Sequence, residues 1–309
     1  MHYNTHILKS TDGESICYYK WEANPKVPFK GLVQIAHGLG EHAGRYDDMA
    51  HLLQDEGYSI YANDHRAHGK TAEMKRLFGF YDGDAYFDDC IEDMHVLSNL
   101  MKAENPKAKF ILFGHSMGSL FSRMYVTKYG EELDALILSG TASFMKGLGN
   151  VGLVAASTVT AFRGRARGNE FLKSVFFGEF NKKFKPNRTK FDWLSRDEKQ
   201  VDVFAKDPYR IEDFSLGVFL DIIKNSKTIN KSEAFKATPK DLPILMFSGD
   251  KDPVGEMGKG VKRVAKQFEK SGIHDFTFNL YEGGRHEMLK ETNAEAVKQE
   301  VIAWLNARM

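Results

Sequence analysis

Apolar residues in the first 140 positions gather into short continuous runs separated by stretches of helical period. Gly31-Leu32-Val33-Gln34-Ile35-Ala36 reads as a strand ending at His37-Gly38-Leu39-Gly40. Tyr46, Met49, Leu52 and Leu53 recur at helical spacing, and Gly57 closes that helix. Tyr58-Ser59-Ile60-Tyr61-Ala62 is the next strand, followed by the loop Asp64-His65-Arg66-Ala67-His68-Gly69. Phe87, Cys90, Ile91, Met94, Leu97 and Met101 mark one face of a helix that stops near Pro106, which puts Cys90 in the core as a small hydrophobe. Phe110-Ile111-Leu112-Phe113 leads through Gly114 into a helix from Met117 to Tyr129, and Ala135-Leu136-Ile137-Leu138 is a further strand. This alternation predicts an α/β fold, a mostly parallel sheet with helices on both faces.

The rhythm stops near Gly140. From 142 to 232 only helical and loop-like stretches are found. It resumes with the strand Pro243–Phe247, a helix from Val261 to Lys270, the strand Asp275–Leu280 and a last helix carrying Val297, Val301, Trp304 and Leu305 on one face. The expected organisation is one core, 1–141 and 233–309, interrupted by a mainly helical cap at 142–232. A length of 309 residues suits one large domain with an insertion.

Composition narrows the classes. Two cysteines, Cys17 and Cys90, leave no disulfide framework and no Cys-based metal site, which fits a reducing, cytoplasmic compartment. Lys and Arg nearly balance Asp and Glu, 43 against 42, so no net field attracts nucleic acid. No apolar run reaches the roughly 18–20 residues that span a bilayer, and Met1–His6 does not start a signal peptide. The local charge is uneven, however. Residues 163–190 carry nine basic against two acidic side chains, interleaved with Phe171, Phe176, Phe177, Phe180 and Phe184.

Gly114-His115-Ser116-Met117-Gly118 follows an apolar strand and opens a helix. A serine there sits on a sharp turn that leaves no room for Cβ atoms on either side, and its hydroxyl is pushed out beyond the sheet edge. Ser116 is the candidate nucleophile, and the Met117 N–H, at the positive end of the helix, is a candidate oxyanion donor. The serine needs a base, and the base needs an orienting acid. Only His274 and His286 follow Ser116. His274 precedes the last strand, at the wrong end of the sheet. His286 lies just past that strand in the Gly-rich Tyr281–His286 loop, so it is the candidate base. For the acid, Asp252, stiffened by Pro253, is preferred over Asp250, which looks like a turn former. Glycines either side of Leu39 free its N–H to be the second oxyanion donor. His37, His42, His65 and His68 lack metal-ligand spacing and read as structural; neither a metal nor an organic cofactor is required.

His37-Gly38-Leu39-Gly40-Glu41-His42-Ala43-Gly44-Arg45-Tyr46, with Gly114–Gly118, resembles the monoacylglycerol lipase and lysophospholipase group of α/β-hydrolases. Asp64 to Thr71 is similar to that group's second-loop motif. Trp193-Leu194-Ser195-Arg196-Asp197, with Val201-Asp202 and Asp207-Pro208, is similar to its cap. The resemblance runs over nearly the whole chain. It implies an α/β-hydrolase fold, a Ser116–Asp252–His286 triad and oxyanion donors at Leu39 and Met117, with the acid three residues after the loop's glycine. Ala67 stands where the motif often has glycine, a change expected to alter only local backbone freedom. Phe144 to Lys190 matches no single member, which leaves the substrate open.

The resemblance implies hydrolysis of monoacylglycerol or similar single-chain lipid esters through an acyl-enzyme. Gly147–Phe162 reads as a cap helix over the site, and Phe144, Phe162, Phe176 and Phe177 are candidate substrate contacts. Two readings of the basic, Phe-rich segment stay open. It could contact a lipid surface peripherally and admit an amphiphilic ester, or its Phe residues could pack inward beneath solvated charges. A lysophospholipase is the close alternative, since a basic cap suits a phosphate headgroup, and a short-chain carboxylesterase is another. An aminopeptidase would need acidic cap residues, and a non-catalytic binding protein would have no need of the intact trio.

Overall fold

The computed structural model describes residues 4–144, 146–168 and 180–309. Eight strands, β1 (Asn4–Lys9), β2 (Ser15–Trp21), β3 (Gly31–Ala36), β4 (Tyr58–Asn63), β5 (Phe110–His115), β6 (Ala135–Ser139), β7 (Ile244–Gly249) and β8 (Phe276–Tyr281), form one sheet. Their order is β1-β2-β4-β3-β5-β6-β7-β8. Every pairing from β4 to β8 is parallel, while β1–β2 and β2–β4 are antiparallel. This is the architecture of an α/β-hydrolase. The continuous apolar runs became β3 to β7, each buried along its whole length, as strands covered on both faces must be. Periodicity did not disclose β1 and β2. β1 is an edge strand that buries only Leu8, and β2 carries its burial on tyrosines, Cys17 and Trp21, so neither forms an aliphatic run.

Register places the functional loops on one edge. Ala36 lies opposite Gly114, His115 opposite Ser139, and Gly249 opposite Tyr281. The chain therefore leaves β3, β5, β6, β7 and β8 at one level, at the carboxyl ends where open α/β sheets place their sites. One face of the sheet is covered by the Tyr86–Glu104, Met117–Tyr129 and Lys259–Lys270 helices, and the other by Asp47–Asp55 and Ala294–Asn306. Cys90, Ile91, Met94 and Leu97 lie in the first of these cores, fully buried.

Between Ser139 and Ile244 the described residues contain no strand. The helices there are Lys146–Arg163, Glu198–Ala205, Leu216–Ile229 and Ser232–Ala237. Leu216, Phe219, Ile222 and Ile223 join the main core, so the Leu216–Ile229 helix is packed as part of the body. A separate small cluster centres on Trp193, Leu194 and Phe204, with Phe180 and Phe184 against it. One side chain ties down both ends of the excursion. Arg123 donates to the Ala142 carbonyl (2.9 Å), the Ile229 carbonyl (3.0 Å) and Asn230 Oδ1 (3.1 Å), with Phe235 beneath its guanidinium. It pairs with no carboxylate among the described residues, and burial pushes its pKa down to about 9.

Candidate active site

The chain turns from β5 into the Met117–Tyr129 helix at Ser116, whose φ of 51° and ψ of −118° lie in a region costly for any residue with a Cβ. The flanking glycines are demanded by contact. A Cβ on Gly118 would fall 2.0 Å from the Ala36 carbonyl oxygen, and one on Gly114 2.4 Å from Ser122 Oγ. Ser116 is anchored by its N–H to the Ser139 carbonyl (2.9 Å), while its own carbonyl accepts from Ser119 and Leu120. Met117 thus heads the helix ahead of the first intrahelical bonds, where N–H groups are left to face a ligand. Ser116 itself is half-buried.

Asp252 and His286 meet at the same sheet edge, where the His286 ring lies against His115, the residue before Ser116. Asp252 Oδ2 lies 3.0 Å from His286 Nδ1 and accepts from Ser248 Oγ at 3.1 Å, while Oδ1 accepts the Val254 N–H at 2.9 Å. Both side chains are buried. With Nδ1 donating to the carboxylate, the hydrogen-bond network assigns the lone pair to Nε2. Burial would depress the imidazole pKa, but the Asp252 carboxylate, helped by Glu287 and Glu41, carries it above the ordinary histidine value. Asp250 is turned elsewhere, and its Oδ1 accepts the Gly283 N–H at 2.8 Å. His274 is likewise remote from the site, exposed and paired with Asp241.

The loop after β3 lies against the serine, since a Cβ on Gly38 would stand 3.2 Å from the Ser116 Cβ. Within that loop Glu41 takes the Gly38 N–H (2.6 Å) and His68 Nε2 takes the Gly40 N–H (3.2 Å). Between them, the Leu39 N–H has no acceptor among the described residues. His37, His65 and His68 stack beneath the loop, with His37–His65 centroids 4.2 Å apart and His37–His68 5.3 Å. His37 Nε2 accepts the His65 N–H, and the His37 and His68 rings serve backbone polar groups, whereas His65 Nδ1 faces the Asn63 side-chain amide at 3.4 Å. Burial holds His68 down at about 4 and His37 and His65 well below the ordinary value.

Sequence reasoning missed a buried ion network. Arg45 grips Glu287 with two parallel bonds of 2.8 Å and reaches Glu41 at 2.5 Å, while Tyr46 donates to Glu41 at 2.9 Å. Burial would raise the Glu41 carboxyl, but Arg45, His115 and the hydrogen bonds from the Gly38 N–H and Tyr46 together outweigh it and bring the pKa to about 2. The network joins the loop after β3 to the residue after His286. Nothing in the sequence pairs Arg45 with Glu287, although both flank residues already singled out. His115 packs against His286, with ring centroids 4.9 Å apart. Burial and the neighbouring imidazole lower His115 to about 4, so it stays neutral.

The cap phenylalanines are placed unevenly. Phe144 is half-buried against the main core, whereas Phe162 is 87% exposed at the end of its helix and faces solvent in place of the site. Phe171, Phe176 and Phe177 lie outside the described residues. Phe180 and Phe184 pack inward while Lys183, Lys185 and Lys190 are exposed, so in this stretch the aromatic groups serve packing beneath solvated charges. The expected dismissal of Ala67 needs correction. Its φ of 65° is left-handed, so a Cβ here is strained by roughly 1–2 kcal/mol.

A family model described as Hydrolase_4, serine aminopeptidase, S33, matches residues 28–293. The monoacylglycerol lipase of Mycolicibacterium smegmatis is 28% identical, over 97% of this chain and 96% of that protein. The monoglyceride lipase of Mus musculus is 26% identical, over 98% of this chain and 90% of that protein. Among solved structures, a highly thermostable carboxyl esterase from Bacillus coagulans, in complex with glycerol, superposes with a TM-score of 0.92 at 26% identity, covering 100% of this chain and 99% of that one.

Proposed function

The chain belongs to the Hydrolase_4 (serine aminopeptidase, S33) family and is a carboxylic ester hydrolase, and from that premise we propose that Ser116, His286 and Asp252 form its triad and that its substrate is a monoacylglycerol or similar single-chain lipid ester. The buried His286–Asp252 pair, packed on the ring of His115 next to the strained Ser116 turn in sequence, supports this reading. Ser116 Oγ attacks the acyl carbon as His286 Nε2 takes its proton. The oxyanion forms toward the Leu39 and Met117 N–H groups. The intermediate then collapses as His286 protonates the leaving alkoxide. Water attacks the acyl-enzyme by the same route, releasing the fatty acid and restoring Ser116. Losing one oxyanion donor typically costs about 3–4 kcal/mol of transition-state stabilisation.

The substrate class rests on the names of the relatives, which are lipases acting on monoglycerides, and on an insertion that carries apolar groups beside charge. Five carboxylates of the insertion are engaged within the structure. Asp192 holds the Thr189 loop, Asp197 caps a helix, Asp202 pairs with Arg188, Asp207 with His42, and Glu212 with Lys190. Each is committed to structure, leaving none of these five to receive a substrate's amino terminus.

A fluorophosphonate probe should label the wild type and not Ser116→Ala; an unlabelled wild type ends the triad reading. Hydrolysis of p-nitrophenyl esters of graded length, monoacylglycerols and lysophospholipids then fixes the substrate. Preference for acetate or butyrate sinks the lipid assignment, and preference for lysophospholipid moves it to the phosphate-bearing class.

A further inference from the structure

The Trp193–Asp197 motif belongs to the insertion, yet it is bonded to the loop of His286. Leu194 O accepts the Glu287 N–H at 2.8 Å, and Ser195 Oγ donates to the Lys290 carbonyl at 2.8 Å. Arg196 Nε meets Glu291 Oε2 at 2.9 Å while its N–H donates to Oε1, which also accepts the Arg285 N–H. Arg285 in turn donates to the Asp192 and Ser195 carbonyls. These ties deliver Trp193, itself buried, onto the imidazole of His286, with ring centroids 5.2 Å apart and planes inclined at 37°. His286 therefore meets two rings, the Trp193 indole and the His115 imidazole.

We propose that Trp193 is a positioning residue for the catalytic base, and that the Phe191–Asp197 stretch of the cap is a fixed brace of the reaction centre that stays in place whatever the rest of the cap does. The proposal rests on the reading of His286 as the base. An imidazole that turns or tilts loses both its bond to Asp252 and its aim at Ser116, and the indole adds its contact to those of Asp252 and His115. Electronically, the electron-rich indole face favours the imidazolium that forms in the transition state. The charged and titratable groups around His286 are Asp252 on the β7 loop, His115 at the end of β5, Arg285 and Glu287 on its own loop, and Glu41 with Arg45 on the oxyanion loop. Of these only Asp252 touches Nδ1. Trp193 thus adds a contact that is uncharged and comes from the insertion.

The brace acts on every substrate, including esters too small to reach the cap. The test uses p-nitrophenyl acetate with wild type, Trp193→Phe and Trp193→Leu, measuring kcat, KM and the pH profile of kcat/KM. Trp193→Leu should lower kcat about tenfold or more with KM nearly unchanged, and should move the acid limb down by about half a pH unit. Trp193→Phe, which keeps an aromatic face, should recover most of kcat and show a smaller shift in the same direction. Should Trp193→Leu melt below the assay temperature, Trp193→Phe alone decides, through the direction of its acid limb. An unchanged kcat and acid limb, or an effect confined to KM or to long-chain esters, overturns the brace and makes Trp193 a substrate wall. Failure of the wild type to react with fluorophosphonate would instead strike the hydrolase reading itself.

Discussion

His68 Nε2 accepts the Gly40 N–H at 3.2 Å while its Nδ1 faces the Arg66 carbonyl at 2.9 Å. The neutral tautomer with its proton on Nδ1 is the form that satisfies both. By occupying the Gly40 donor, His68 fixes the peptide next to Leu39, so a loop distant in sequence holds the N–H proposed as an oxyanion donor. His68→Leu leaves the Gly40 N–H buried without an acceptor, a loss of about 1–3 kcal/mol. The expected outcome is a 10- to 100-fold fall in kcat on a soluble ester with smaller change in KM. Equal kcat would separate the loop from the oxyanion.

Asp252→Asn and Asp250→Asn should part company. The first removes the charge that raises His286 and lets the imidazole take the wrong tautomer, for which a loss of about 10⁴ in kcat is the reference magnitude. Its residual activity should have an acid limb at lower pH, because His286 in the wild type must shed its proton above the ordinary histidine value before it can act as base. Asp250→Asn, which loses only part of a loop bond, should stay within about tenfold of wild type in the same assay.

Acid should destabilise the fold before it protonates most surface carboxylates. His68 and His115 are held at about 4 by burial, against about 6.5 in an unfolded chain. Below pH 6.5 the unfolded state takes up protons that the folded state refuses, so stability falls as pH drops toward 4. Each of the two contributes a slope near about 1.4 kcal/mol per pH unit. His286, raised when folded, works in the opposite sense and offsets part of this. Urea unfolding at pH 7, 6 and 5 should show the midpoint moving down; a flat midpoint would mean that these imidazoles are not buried neutral.

Arg76 closes the Gly69–Lys75 helix in left-handed backbone, φ 58°, and is exposed. Arg76→Gly relieves strain of roughly 1–2 kcal/mol and spends part of it on unfolded-state entropy, so a net gain of about 0.5–1 kcal/mol is expected. Calorimetry should record a rise of about 1–2 °C. Ala67→Gly should gain less, because Ala67 is buried in the main core and removing its methyl gives back about 0.8 kcal/mol.

Reading the chain by pattern located β3 to β7 and the turn at Ser116, since strands buried on both faces declare themselves as apolar runs, and it found the half-buried β8 as well. It selected His286 by elimination and Asp252 by loop position, and the structure brings these two within 3.0 Å. What it could not reach depends on side chains far apart in sequence. Arg45 and Glu287 meet across 242 positions, and Trp193 meets His286 through a motif noticed only as family likeness. Ala67 was misjudged because a backbone angle leaves no mark on residue type. Phe162 was misplaced because composition does not say which side of a helix faces inward.

Arg123 gathers the exit and the return of the inserted segment onto the helix that begins at the nucleophile. Whatever the chain does between those two anchor points, its ends arrive at the same place relative to Ser116. A scaffold built this way is open to exchange. Foreign segments spliced after Ala142 and ahead of the Leu216–Ile229 helix, which is part of the body and is kept, would inherit their docking from the host, and new substrate ranges could be tried without disturbing the serine turn. The Trp193 contact with His286 sets the condition on such a graft: the replacement must bring its own wall for the imidazole.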